Sequence, residues 1–208
     1  MNDRTGPQSV SQRRDLPLLD ESRPERADAR RNRLKVLAAA DRLFTEYGVK
    51  NVSLDAIAAE AKVGKGTVFR RFGDRAGLAV ALLDEREQEL QAKMLTGPPP
   101  LGPGAPPSDR AVAFLEAYLD LLDRHAELFA DSENASEGAR YRIGSYHLWH
   151  RHLVVLIEEA RPALDAGYLA HALLAPLAAD LHQALREDGY DLDRLKAGIR
   201  TLVKALLG

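Results

Sequence analysis

Residues 54–75, LDAIAAEAKVGKGTVFRRFGDR, hold two short helical patterns that meet across a turn too tight for an ordinary helix pair. Leu54, Ile57, Ala58 and Ala61 fall at i, i+3, i+4 and i+7, which is one apolar stripe on a helix of about two turns. Ser53 is placed to cap it. Lys62, Val63 and Gly64 break the pattern. A second short helix, Lys65 to Phe72, then buries Val68 and Phe72 at i and i+4 and spreads Lys65, Thr67, Arg70 and Arg71 over its other faces. This is a helix-turn-helix with a basic, small-residue outer face. Such a face suits a major groove, and Gly66 removes bulk where backbone and base edges would approach closely.

The surrounding stretch from Lys35 to Leu78 resembles the N-terminal DNA-binding domain of the tetracycline-repressor-like (TetR/AcrR) regulators. The resemblance rests on Arg42, Leu43, Phe44 and Gly48 at the end of a first helix, on Ile57, Ala58 and Ala61, and on Val63, Thr67, Val68, Phe69 and Phe72. Arg75 stands where the family has a basic residue opening its fourth helix. The motifs cover about a quarter of the chain, and the remainder resembles the family only in size and helicity. This chain departs from the pattern at three places. Lys62 replaces the usual turn glycine, so a left-handed backbone there would cost on the order of 1 kcal/mol. Gly64 replaces the usual capping serine. Phe69 and Arg71 stand where tyrosines are common, so Phe69 has no phenol to offer a phosphate and Arg71 offers an ionic contact instead.

The net charge of -2 conceals a division along the chain. Residues 23–75 carry 13 Lys+Arg against 7 Asp+Glu, whereas residues 76–208 carry 13 against 20. The basic segment coincides with the helix-turn-helix and reads as a footprint for phosphates; the acidic remainder would repel DNA and confine binding to one end.

Residues 1–26 are polar and Pro-punctuated and read as a disordered arm. Within it Arg13 and Arg14 could enter a minor groove, although a solvated tail is the favoured reading. Helix 1 is expected over 27–47, burying Leu34, Leu37, Ala38, Leu43 and Phe44 and stopping at Gly48. The DNA-binding domain is thus placed at 27–75. Asp74 can cap a helix from Arg75 to about Leu95 that carries Leu78, Leu82, Leu83 and Leu90 into a second helical domain, 76–208. The segment 96–110, with six prolines and three glycines, is expected to be an extended, mobile connector. Further helices are expected over 109–125, 138–160, 162–187 with Pro176 inside, and 191–207 capped by Asp191.

The chain has no cysteine, which excludes disulfides and Cys-ligated metal. It has no apolar run of about 18 residues and no signal-peptide core, so a cytoplasmic protein that does not engage a membrane is expected. Neither a phosphate-binding glycine loop, a nucleophile elbow nor a paired-carboxylate motif is present, so no enzyme activity and no cofactor are expected. His147 and His150 lie one helical turn apart with His152 on another face, but no third metal ligand is identified. Metal-dependent sensing therefore remains an alternative, not the chosen reading.

The resemblance implies a small-molecule effector in the C-terminal domain. Phe114, Tyr118, Tyr146, His147, Trp149, His150 and Leu153 are the candidate ligand contacts, suited to an apolar or aromatic effector. Leu192, Leu195, Ile199, Leu202 and Leu206 recur at steps of three and four, and Leu174, Leu177 and Leu181 edge the preceding helix; together they form the expected homodimer seam. The combined expectation is an all-α, two-domain homodimer that binds a palindromic double-stranded operator, most simply as a repressor released by its effector. Lys65, Gly66 and Arg70 would face bases, with Ser53, Thr67, Arg71 and Arg75 on phosphates and Phe69 beside them. An effector-independent activator or architectural factor is the other alternative.

Overall fold

The computed structural model of the chain describes residues 22–142 and 144–208. Among the described residues there are eleven α-helices and no strand. Arg13 and Arg14, and most of the expected arm, lie outside them.

Helix α1 (Ser22–Tyr47) opens earlier than Ala27, the start its apolar pattern suggested. The added turn, SRPER, has no apolar period and continues into an Ala- and Arg-rich stretch of good helix formers. Its buried side is Val36, Leu37, Ala40 and Phe44, whereas Leu34 is exposed, contrary to expectation. The chain leaves α1 through Gly48 at φ 78 and makes one 3₁₀ turn, Val49–Asn51. Then come α2 (Leu54–Ala61), α3 (Lys65–Phe72) and α4 (Arg75–Thr96). Ile57, Ala58, Ala61 and Val68 close over α1, and Leu78 and Leu82 from the first turns of α4 complete that core.

The Pro-rich segment is not extended. Gly102 donates to the Pro98 carbonyl at 2.9 Å, and a Cβ on Gly102 would lie 1.8 Å from the Gly97 carbonyl oxygen, so only glycine lets the loop fold back on itself. Helix α5 (Pro107–Arg124) starts inside the expected connector because proline at the first helical position has no amide left unsatisfied.

At His125 the chain turns directly into α6 (Ala126–Glu133), an element with no break residue to announce it in the sequence. It is followed by α7 (Ala139–Arg142) and α8 (Gly144–Ala160). The expected single helix over 162–187 is instead α9 (Ala166–Leu174), a 3₁₀ turn around Pro176, and α10 (Ala179–Glu187). A proline ring inside a helix removes one amide donor and clashes with the preceding turn. Helix α11 (Leu192–Leu207), capped by the Asp191 carboxylate on the Arg194 amide at 2.8 Å, packs against α5. Helices α5, α8, α9 and α11 enclose a second core in which Phe114, Tyr118, Trp149 and Phe129 pack tilted or edge to face, with centroids 5.4 to 6.0 Å apart from Phe114 to Trp149 and from Tyr118 to Trp149 and Phe129.

Helix α4 runs through both cores. Two ionic links hold α1 to it: Arg33 to Glu85, and Arg86 to the nearly buried Asp41 at 2.7 Å. Asp41 also faces Arg124 and His125 at the junction of α5 and α6.

Candidate functional site

The Ser53 hydroxyl accepts the Ala56 amide at 3.1 Å and caps α2. Lys62 then adopts the left-handed region at φ 54, and its amide and that of Val63 return to the Ala58 and Ala59 carbonyls. Those bonds satisfy the end of α2 and offset the cost of a side chain at positive φ. Gly64 opens α3 without a side-chain cap.

Helix α3 is anchored through Val68, which is 1% exposed, and through half-buried Phe72. The rest of it faces outward. Lys65, Gly66, Phe69, Arg70 and Arg71 are exposed, Thr67 is half-buried, and nothing lies within 4 Å of a Cβ built on Gly66. Lys65 meets Asp55 at 2.7 Å, an open pair that contributes little stability and can yield to a phosphate or base. Arg71 reaches the Ala29 carbonyl at 3.3 Å and Arg75 the Lys50 carbonyl at 2.6 Å. Each keeps further guanidinium donors for another partner. Phe69, 63% exposed beside two arginines, is an apolar ring left on a basic surface.

Behind this domain lies a cleft of about 1160 Å3 between α4 and α6, closed at one side by Ala135, Ala139, Gly144 and Ser145. Its wall includes Val49, Lys50, Asp74 and Arg75 of the helix-turn-helix region, so one cavity borders both halves of the molecule. The apolar part of the wall is Ala79, Val80, Leu83, Leu128 and Phe129; the polar part includes Asp84, Glu87, Asp131 and Glu133. Burial pushes the Glu87 carboxyl up to about 7, with a Ser145 hydrogen bond opposing the rise and Asp84 adding to it. Glu133 is already engaged, by the buried Arg140 and by the Ala179 amide at 2.9 Å.

The family described as bacterial regulatory proteins, tetR family, matches residues 36–82. That span covers the second half of α1, all of α2 and α3, and the first turns of α4. The N-terminal domain belongs to the tetR family. Within a 53-residue stretch the chain is 43% identical to an HTH-type transcriptional regulator of Staphylococcus aureus strain USA300, covering 26% of this chain. The match spans 29% of that relative's own length. The whole fold is similar to solved regulators. One is a TetR-like transcriptional regulator from Rhodococcus sp. RHA1, with TM-score 0.57, 18% identity, and 83% of this chain and 93% of that one covered. Another is a protein from Saccharomonospora viridis, described as a transcriptional regulator in complex with choline, with TM-score 0.66, 19% identity and coverage of 83% and 95%. A third is the fatty acid degradation regulator FadR from Bacillus halodurans, with TM-score 0.60, 16% identity and coverage of 85% and 94%. No helix among the described residues is long and apolar enough to cross a membrane.

Beyond the TetR-family domain, the expected ligand contacts do not line the cleft. Phe114, Tyr118, Trp149 and Leu153 are at most 4% exposed and fill the second core. Large aromatic side chains at helical spacing bury more apolar area inside a bundle than at its rim. Tyr118 edges Phe129, which does line the cleft, so the aromatic cluster backs the wall without forming it.

Tyr146 donates to or accepts from His171 Nδ1 at 2.7 Å, and His150 meets the Gly167 carbonyl at 3.0 Å, joining α8 to α9. His147 is exposed. Among the described residues no group of three His, Asp or Glu side chains is placed to hold a metal ion.

The leucine seam is also spent differently. Leu174, Leu177 and Ile199 are buried in the chain's own core, and Leu192, Leu195 and Leu206 are half-buried. Helix α11 turns its stripe of Ile199, Val203 and Leu207 inward, with Lys196–Asp120 at 2.5 Å and an Arg200–Glu116 pair flanking it on α5. Only Leu181 and Leu202, at 42% and 50% exposed, remain on the surface. Sequence reading missed Glu87, Asp84 and α6 altogether; a lone glutamate on the apolar side of α4, one turn after Leu83, was the available signal.

Proposed function

We propose that the protein is a ligand-responsive transcriptional regulator, a homodimer that binds a palindromic operator and releases it when a small molecule fills the cleft between α4 and α6. The observation carrying this reading is that one cavity is walled both by the helix-turn-helix region and by α4, α6 and the start of α8.

On DNA, the outward face of α3 would enter the major groove. Arg70, which has no ion pair among the described residues, is the candidate for a forked contact to guanine, with Lys65 and the backbone at Gly66 beside it. Ser53, Thr67, Arg71 and Arg75 would hold phosphates and set the register, and Phe69 would lie against sugar or a thymine methyl. Release follows from geometry. Helix α6 lines the cleft with Leu128, Phe129 and Glu133, and its Glu127 carboxylate accepts the Val49 amide at 3.1 Å. A ligand that spreads α4 and α6 would therefore draw on the turn between α1 and α2, and the two recognition helices of a dimer would no longer match half-sites one helical turn apart.

The test is a titration of the full chain against DNA flanking its own gene and against random DNA at two salt concentrations. Saturable, sequence-selective binding at both supports the reading. Equal affinity for all sequences would reduce it to a non-specific basic surface.

A further inference from the structure

We propose that the ligand of the α4/α6 cleft is an organic cation with an apolar body, its charge balanced by Glu87. The inference rests on the effector reading above and names the class of effector.

Glu87 is 8% exposed and lies on the cleft wall, and among the described residues no Lys, Arg or His is ion-paired with it. A carboxylate removed from water without a counter-charge is costly, and proteins avoid leaving one so. The groups around it sharpen the deficit. Asp84 on its own helix adds negative charge, Asp131 on α6 lines the same cavity, and Ser145 on α8 supplies only a hydrogen bond. Glu133 on α6 is already neutralised by Arg140 from α7, whose other donors go to the Leu174 and Leu177 carbonyls at 2.9 Å. The Tyr118 phenol from α5, held protonated by burial, contributes no charge. The basic wall residues Lys50 and Arg75 belong to the helix-turn-helix side of the cavity, where Arg75 is tied to the Lys50 carbonyl.

An anion seated against Glu87 would meet the carboxylates of the α4 and α6 walls, with Lys50 and Arg75 away at the helix-turn-helix side of the cavity. A neutral ligand would leave Glu87 as it is. A cation supplies the missing charge, and Val80, Leu83, Leu128 and Phe129 offer its body an apolar seat. A cavity of about 1160 Å3 admits a molecule well beyond a bare metal ion or ammonium.

The probes are benzyltrimethylammonium, its uncharged isostere neopentylbenzene, and benzenesulfonate, titrated calorimetrically into the full chain without DNA. The cation is expected to bind saturably and the other two at least tenfold more weakly. Since burial raises the Glu87 carboxyl to about 7, cation affinity is expected to rise about tenfold from about pH 6 to pH 8 as Glu87 loses its proton. Glu87→Gln keeps the shape, removes the charge, and should lower affinity at least tenfold and flatten that pH profile, with helicity checked by circular dichroism. Ser145→Ala is the second variant; it leaves the charge and should preserve selectivity for the cation. Equal binding of cation and isostere, undiminished cation affinity in Glu87→Gln, or no saturable binding of the cation at millimolar concentration overturns the proposal. Operator titration of the unmodified chain is read separately. Cation binding with no sequence-selective DNA binding would sink the regulatory reading and leave this one standing.

Discussion

Glu127 Oε2 accepts the backbone N–H of Val49 at 3.1 Å, across 78 positions of sequence, and so ties α6 to the turn that follows α1. The same turn presents Lys50, whose carbonyl holds Arg75 at the start of α4. Two hydrogen bonds thus run in series from α6 to that turn and from the turn to the start of α4. Asp41, bridging Arg86 on α4 and the α5–α6 junction, braces the other end of the same interface.

Replacing Glu127 with Ala should uncouple α6 from that turn. The loss of a charge-assisted bond to an amide is expected to lower stability by about 1 to 2 kcal/mol. Ligand binding in the cleft should persist while ligand-induced release of DNA weakens. Fluorescence anisotropy of labelled operator, with and without ligand, checks this; full release in the variant would place the coupling elsewhere.

Gly66→Ala separates fold from contact. The added methyl meets nothing in the free protein, so α3 should gain about 0.5 to 1 kcal/mol. Operator affinity should fall, because the same methyl would stand between backbone and base edges. An unchanged operator affinity alongside a raised melting temperature would show that the groove is not approached there.

Arg70 and Arg75 should differ in kind. Arg70→Ala is expected to cost about 1 to 3 kcal/mol on the cognate operator and little on random DNA. Arg75→Ala should weaken both alike and reduce the salt slope by about one. Identical effects on discrimination would dissolve the division between base reading and phosphate holding.

The buried stripe of α11 now dictates which leucine tests dimerisation. Leu202→Glu places charge on an exposed position and should give folded, helical monomers with weak operator binding. Ile199→Glu puts the charge into the chain's own core and should lower the melting temperature itself. Sedimentation that leaves Leu202→Glu dimeric would move the interface to another face.

His152 sets an acid limit on stability. Burial, with Arg110 adding to it, lowers its pKa to about 4, while the unfolded residue titrates at 6.5. The folded state therefore holds it neutral, and its contribution is complete above the unfolded value and lost as pH falls from 6.5 towards 4. Denaturant midpoints should fall through that window in the native chain and fall less in His152→Phe, whose ring can keep the edge contact with Phe114. Parallel profiles would assign the acid loss to other groups.

The helix-turn-helix was legible in the sequence because everything that defines it is local. Ser53 capping α2, Lys62 turning left-handed where glycine is usual, Val68 anchoring α3, and Asp74 and Asp191 capping α4 and α11 all act within a few residues of themselves. The same locality misled where a stripe needed a partner. Periodicity tells which side of α11 is apolar, but apolar attraction has no direction, so nothing in Leu192 to Leu206 says whether α5 or a second copy covers it. Phe114, Tyr118 and Trp149 were recognisable as an aromatic group, yet only the packing of α5 on α8 put them behind a wall instead of in it. The cleft is decided wholly by tertiary structure. It joins Glu87 of α4 to Phe129 of α6 and Ser145 of α8, and a carboxylate becomes a binding group there because three helices remove it from water without supplying a counter-charge.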